Sequence, residues 1–169
     1  WDVSRVEENF EILKKLGDGV VPPPGSESDR PFSRFMAIYA SLCRHHMKTF
    51  GTTQRQIAAV AAKNHQHSVH NPYSQFRKPF TIDEVLAAPP ISYPLTLPMC
   101  SAMSDGAAAA IVCSEEGLQR IGADRARAVR VAASVVRSFT LRSMDEPQRH
   151  ATHLAAQAAY AQAGLGPED

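Results

Sequence analysis

The sequence predicts an α/β fold with a helix-rich first part and a strand, helix, strand, helix order in the second. Three observations carry that expectation. Apolar residues recur at three- and four-residue spacing before position 90, with capping signatures ahead of them. Ala107 to Cys113 is a short run of small and apolar residues, and Arg127 to Arg137 carries four valines in partial alternation, so both read as strands. The alanine-rich stretch between Pro147 and Gly164 reads as a helix that packs closely on a sheet.

Taken in order, Val6, Phe10, Leu13 and Leu16 mark an amphipathic helix, with Ser4 and Glu7 as a capping box and Gly17 as its end. The stretch from Val20 to Pro31 holds three consecutive prolines, then Gly25, Ser26, Glu27, Ser28 and Asp29, a composition that favours an extended, solvated loop. Phe32, Phe35, Met36, Tyr39, Leu42, Cys43, Met47 and Phe50 fall on one helical stripe, and Gly51 stands where a left-handed terminator belongs. Thr53 with Gln56, and Thr81 with Glu84, form two further capping boxes. The first opens a helix running toward His70, where Asn71-Pro72 breaks it; the second opens another at Val85 and Leu86. A short helical segment at Glu115 to Ile121 separates the two expected strands. The helix that starts at Pro147 stops at Gly164, a C-terminal cap.

Composition excludes several function classes. The net charge is +1 and the basic residues are spread along the chain, so the electrostatic footprint of a nucleic-acid binder is missing. Cys43, Cys100 and Cys113 stand far apart with no C-x-x-C pair, which argues against a disulfide framework or a structural zinc site and for a reducing, cytoplasmic compartment. No apolar run is long enough to span a bilayer, and no leader pattern stands at Trp1. The opening Trp-Asp-Val, without Met, and the stop at Gly-Pro-Glu-Asp just after a helix end read as cuts through a longer protein.

Candidate chemistry is sparse. Among the seven histidines, His65, His67 and His70 are close together and His150 and His153 lie one turn apart. His65 and His67 point to different helix faces, however, and no acidic or cysteine partner sits at ligand spacing, so no metal site is expected. Cys100, followed by Ser101 and Asp105-Gly106, is the most interesting thiol, yet a half-buried cysteine more often packs as a small hydrophobe. Neither a Walker pattern nor G-x-G-x-x-G occurs; Arg77 and Lys78 could meet a phosphate but read better as a solvated turn.

Four phrases stand in an order that resembles the thiolase superfamily, in particular its sterol-carrier-protein-type, or lipid-transfer-protein, branch. They are MKTFGTTQRQIAAVAAKNHQHS at Met47 to Ser68, NPYSQFR at Asn71 to Arg77, TIDEVLAA at Thr81 to Ala88, and CSAMSDGAAAAIVC at Cys100 to Cys113. The resemblance implies two similar α/β halves in a layered core, with a helical loop domain inserted in the first half. It implies a lead-in helix and proline-rich loop over 1–31, the loop domain on the CoA side over 32–105, the end of the N-terminal half over 106–122 and the start of the C-terminal half over 123–169.

The family's activity implies an acyltransferase that makes or breaks a carbon-carbon bond between acyl-CoA molecules, with coenzyme A as substrate and no further cofactor. The family's nucleophilic cysteine lies upstream of the loop domain, and its His-Pro and Cys-Gly motifs lie beyond the last helix here. No catalytic residue is therefore expected in the chain, and the chain alone should be inactive. By the same resemblance Met36 lines the acyl-CoA pocket and Ser101 faces the bound CoA. Phe35 stands where many thiolases have histidine. The family implies a homo-oligomer. Two other uses of the scaffold are a retro-aldolase of steroid side-chain degradation, working with a separate partner protein, and a noncatalytic acyl-CoA or lipid-binding module.

Overall fold

A computed structural model describes residues 6–138, 143 and 146–169. The helices are α1 (Val6–Lys15), α2 (Arg34–Phe50), α3 (Gln54–Ser68), α4 (Ile82–Ala87), α5 (Glu115–Arg120) and α6 (Ala151–Ala163). Between α4 and α5 lie β1 (Pro90–Ser92) and β2 (Leu95–Thr96), which pair antiparallel and form the one sheet among the described residues. A 3-10 turn, Leu97–Met99, follows β2 directly. The chain divides into two units after Gly106.

In the first unit, the helix starts and stops follow the signals in the sequence. Thr53 and Thr81 each accept a hydrogen bond from the backbone of Gln56 and Glu84, whose side chains bond back to the capping residue's own N–H. Each box satisfies donors that a helix N-terminus otherwise leaves open. Ser33 caps α2, and Gly51 ends it at φ 70°, a left-handed conformation that a Cβ would penalise. The capping box expected of Ser4 lies outside the described residues.

Helix α1 docks on α2. Phe10, buried, meets Phe35 edge-on at 5.7 Å between ring centres, and Arg34 bonds Glu7 at 2.6 Å. Between α3, α4 and the 3-10 turn, Ala58, Ala62 and Val85 form a fully buried cluster, with Phe80, Ile82, Leu86 and Met99 packed against it. Alanines on the inner face of α3 let the short α4 approach closely, because small side chains shorten the interaxial distance. The hairpin is tied to both sides of the unit. Thr96 Oγ1 donates to the Val85 carbonyl at 2.6 Å, and Arg44 Nη1 donates to the Tyr93 carbonyl at 2.6 Å. The proline-rich stretch stays irregular but is held to the hairpin, since Tyr93 N donates to Glu27 and Ser28 N to the Ile91 carbonyl.

The α2 stripe corrects one expectation. Phe35, Tyr39 and Phe50 are 55%, 57% and 69% exposed, whereas Ile38, Ala40 and Ser41 are buried. The buried face is turned from the one that the largest residues mark, because α1 and the hairpin pack on the Ile38 and Ser41 side.

The second unit corrects another. Ala107 to Cys113 is not a strand, and neither is Arg127 to Arg137, whose first residue closes a 3-10 turn, Arg125–Arg127. A strand requires a hydrogen-bonded neighbour, and no described segment pairs with either run. Their side chains consequently face solvent: Ile111, Val112, Val129 and Val136 are all more than four-fifths exposed. The helical expectations hold here. Ser114 caps α5, and Glu115 pairs with Arg125. Pro147 opens a 3-10 turn, after which His150 caps α6 by accepting from Thr152 N, and Gly164 ends α6 at φ 67°.

Candidate functional site

A groove of about 710 Å³ opens in the first unit. That volume lies within the roughly 300–1,000 Å³ of ordinary small-molecule sites. Its first wall is α2, which presents Met36, Tyr39 and Cys43 at positions i, i+3 and i+7. Its floor is α3, through Ile57, Val60, Ala61, Asn64, His65 and Ser68. One rim is the turn at Ser74, Gln75 and Phe76; the other is the segment from Pro98 to Ala102 that follows the 3-10 turn.

Both residues assigned to the pocket from the sequence, Met36 and Ser101, line this groove. Met36 comes from α2 and Ser101 from the segment after the 3-10 turn. Met36 is half-buried and brings a flexible thioether, while Ser101 is exposed and offers a hydroxyl. Around them the lining is apolar and rich in sulfur, from Met36, Met99, Cys43 and Cys100, with a few polar groups at the rims. That mixture suits an apolar chain carrying a small number of amides or hydroxyls.

The rims are held by short polar ties to α3. His65 Nε2 lies 2.9 Å from the Pro98 carbonyl, and the His65 ring meets Phe80 edge-on at 4.9 Å. Ser68 Oγ lies 2.8 Å from both the His65 and the Phe76 carbonyls. Gln75 Nε2 donates to the Met103 carbonyl at 3.3 Å, linking the rims to each other.

Two thiols face the groove, and neither is poised to attack. Burial pushes the Cys43 thiol up from its ordinary value, opposed by the neighbouring Arg44. Burial also pushes Cys100 up, and Cys43 adds to the effect. A thiol raised by burial behaves as a small packing group rather than as a nucleophile. Cys100 Sγ is 3.6 Å from the Thr96 carbonyl, a weak donor in place. Cys113 is exposed and lies in the second unit.

The histidines separate rather than gather. His65 turns to Pro98, His67 and His70 are exposed, and His150 is spent on the α6 cap. Among the described residues no three histidine, cysteine or acidic side chains form a metal-ligand group. Arg77 Nη2 reaches the Val69 carbonyl at 3.3 Å, and Lys78 sits over the Phe80 ring. Sequence reasoning weighed His65 as a metal ligand and missed it as part of a groove. Tyr39, placed on the α2 stripe, lines the groove as well. Neither residue type nor spacing signals a groove wall.

No protein-family model matches the chain. It is 37% identical over 133 residues to benzoylsuccinyl-CoA thiolase subunit BbsB of Thauera aromatica, a match covering 78% of the chain and 34% of that protein. It is 37% identical over 138 residues to sterol carrier protein 2 of Rattus norvegicus, covering 78% and 25% respectively. It is 33% identical over 165 residues to the acetyl-CoA acetyltransferase of Methanothermobacter thermautotrophicus, covering 93% and 43%. The chain belongs to the thiolase superfamily. Sterol carrier protein 2 among its relatives agrees with the branch that the four sequence phrases resemble. The chain spans about a quarter to under half the length of these relatives, whose names support an α/β class and an acyl-CoA or lipid theme. Among the described residues no helix is long and apolar enough to cross a membrane.

Proposed function

We propose that the chain is the CoA-side part of a thiolase-type acyltransferase and that its groove receives the pantetheine arm and acyl group of an acyl-CoA. One observation supports this reading: Met36 and Ser101, the two residues assigned to the pocket by family resemblance, line the same groove. The apolar lining fits an acyl chain, and the serine hydroxyl fits a pantetheine amide. In this reading 32–105 is the helical loop domain, and the remainder of the chain joins a layered α/β core. The nucleophilic cysteine and its activating base belong to the rest of the full-length protein, which acts in the cytoplasm as a homo-oligomer.

A second reading has support of its own. Burial holds both groove-facing thiols above their ordinary value, which favours binding over thiol chemistry in this part of the protein. A noncatalytic acyl-CoA or lipid-binding module needs no more than that. The retro-aldolase reading shares the groove and differs in the reaction assigned to the rest of the protein.

The test is Ser101→Phe in the full-length protein, with folding verified by circular dichroism and acyl-CoA affinity measured by calorimetry. Affinity should fall by about ten-fold or more, the loss of a hydrogen bond plus a steric block. Unchanged affinity refutes the pocket. Product analysis on the unaltered protein then separates thiolysis, retro-aldol cleavage and binding without turnover.

A further inference from the structure

We infer that His65 is a positioning residue of the groove, its Nε2–H bond to the Pro98 carbonyl fixing the rim that carries Cys100 and Ser101. This rests on the acyl-CoA reading above for its functional consequence, though not for its geometry.

A carbonyl oxygen can only accept, so the 2.9 Å contact requires a proton on His65 Nε2. The ring cannot swing away easily. It is half-buried, it lines the groove, and Phe80 holds it edge-on. Phe80 in turn packs on the buried Ala58, Ala62 and Val85 cluster, so the ring orientation is set by the best-packed part of the unit.

The Pro98 rim has few ties of its own. Cys100 N donates to the Leu97 carbonyl within the same turn, and the thiol contact to Thr96 is long. Thr96, the residue before the turn, is anchored on Val85. Beyond that anchor and the packing of Met99 on the Ala58, Ala62 and Val85 cluster, the contact from His65 joins the turn to α3 by a polar side chain of fixed shape. Ser68, one helical turn on, serves the opposite rim through the Phe76 carbonyl. Two neighbouring side chains of α3, together with the Gln75 bond to the Met103 carbonyl, thus hold the two rims, and a ligand that touches Ser101 senses His65 without contacting its proton.

The experiment has an arm on this chain and an arm on the full-length protein. In the chain, nitrogen-15 spectra of the His65 ring should show a proton on Nε2; a ring protonated on Nδ1 alone overturns the inference. His65→Leu, which keeps bulk and loses the donor, should raise the iodoacetamide alkylation rate of Cys100 several-fold while that of Cys43 stays put, as expected when one tie of a local segment is lost. His65→Gln, which keeps a donor, should restore the slow rate. An unchanged Cys100 rate in His65→Leu overturns the inference. If that variant does not fold, the wild-type tautomer and the His65→Gln rate still decide, the slow Cys100 rate supporting the assignment and a fast one opposing it.

In the full-length protein, His65→Leu should raise KM for acyl-CoA about ten-fold with a smaller change in kcat, the pattern of a misplaced binding rim, and His65→Gln should return KM close to its original value. KM unchanged in His65→Leu, beside a Ser101→Phe variant that does lose affinity, overturns the positioning role. Should Ser101→Phe also bind normally, the acyl-CoA reading has failed, and the tautomer and alkylation rates judge His65 independently.

Discussion

The Ser41 hydroxyl accepts a hydrogen bond from the Gly17 backbone N–H at 2.7 Å and donates one to the Lys14 carbonyl at 2.6 Å. One fully buried hydroxyl on α2 therefore satisfies a donor and an acceptor at the C-terminal end of α1, where helix carbonyls lack partners. Ser41 lies off the apolar stripe of α2 that the sequence marks, and its two hydrogen bonds join α2 to the end of α1.

Removing that hydroxyl leaves the Gly17 N–H buried without a partner. Ser41→Ala should destabilise the chain by about 1–3 kcal/mol in urea unfolding followed by circular dichroism. Gly17→Ala should act on the same joint from the other side, because a Cβ there would lie 2.7 Å from Arg44 Nε and 2.9 Å from Ser41 Oγ. Arg44 is held by the Tyr93 carbonyl and cannot simply move off. The double variant should cost less than the sum of the two, since both break one contact. Strict additivity would contradict the joint.

The Glu84 carboxylate caps α4, and hydrogen bonds from the Thr81 backbone N–H and then the Thr81 hydroxyl hold it below its ordinary value of 4.5. A carboxyl depressed in the folded state contributes stability that is present above the unfolded value and lost as pH falls through the folded one. The stability of the chain should therefore drop as pH falls from about 4.5, and Glu84→Gln should flatten that part of the profile while retaining the amide oxygen as an acceptor. Urea midpoints taken between neutral and acid pH would show it. Identical profiles for the two proteins would remove Glu84 from the account.

The chain by itself should neither make nor cleave acetoacetyl-CoA. Its two groove thiols are raised by burial, and thiolase chemistry needs a nucleophile acting with a base. A steady-state assay with acetyl-CoA alone for condensation, and with acetoacetyl-CoA plus free CoA for cleavage, tests this. Turnover at the rate of the full-length protein would mean that the groove holds a catalytic group the geometry does not reveal.

What the sequence disclosed depends on how local the determining forces are. The capping boxes at Thr53 and Thr81 and the terminators Gly51 and Gly164 act within one turn of chain, and all stand where the residues put them. The hairpin was not legible, because its strands are two and three residues long and set among prolines. Its register is decided by ties to Val85, Arg44 and Glu27, which lie elsewhere in the chain. Ala107 to Cys113 and Arg127 to Arg137 have strand composition without a described strand beside them, and composition cannot supply a partner. The groove was legible only through family resemblance. Ser101 came from a matched phrase and Met36 from its place in the family's loop domain, whereas His65 gave no sign in residue type or spacing that it would meet a backbone carbonyl from a turn beyond α4.

The central claim is that acyl-CoA occupies the groove lined by Met36, Cys100 and Ser101, and ligand protection tests it most directly. Cys100 lies in the groove, whereas Cys113 is exposed in the other unit, so one protein carries both the reporter and its control. With saturating acyl-CoA bound to the full-length protein, iodoacetamide modification of Cys100, followed by peptide mass spectrometry, should slow several-fold, and Cys113 should react as it does without ligand. Cys100 alkylated at the same rate with and without ligand, under conditions where calorimetry shows the protein saturated, would place the acyl-CoA elsewhere and contradict the account.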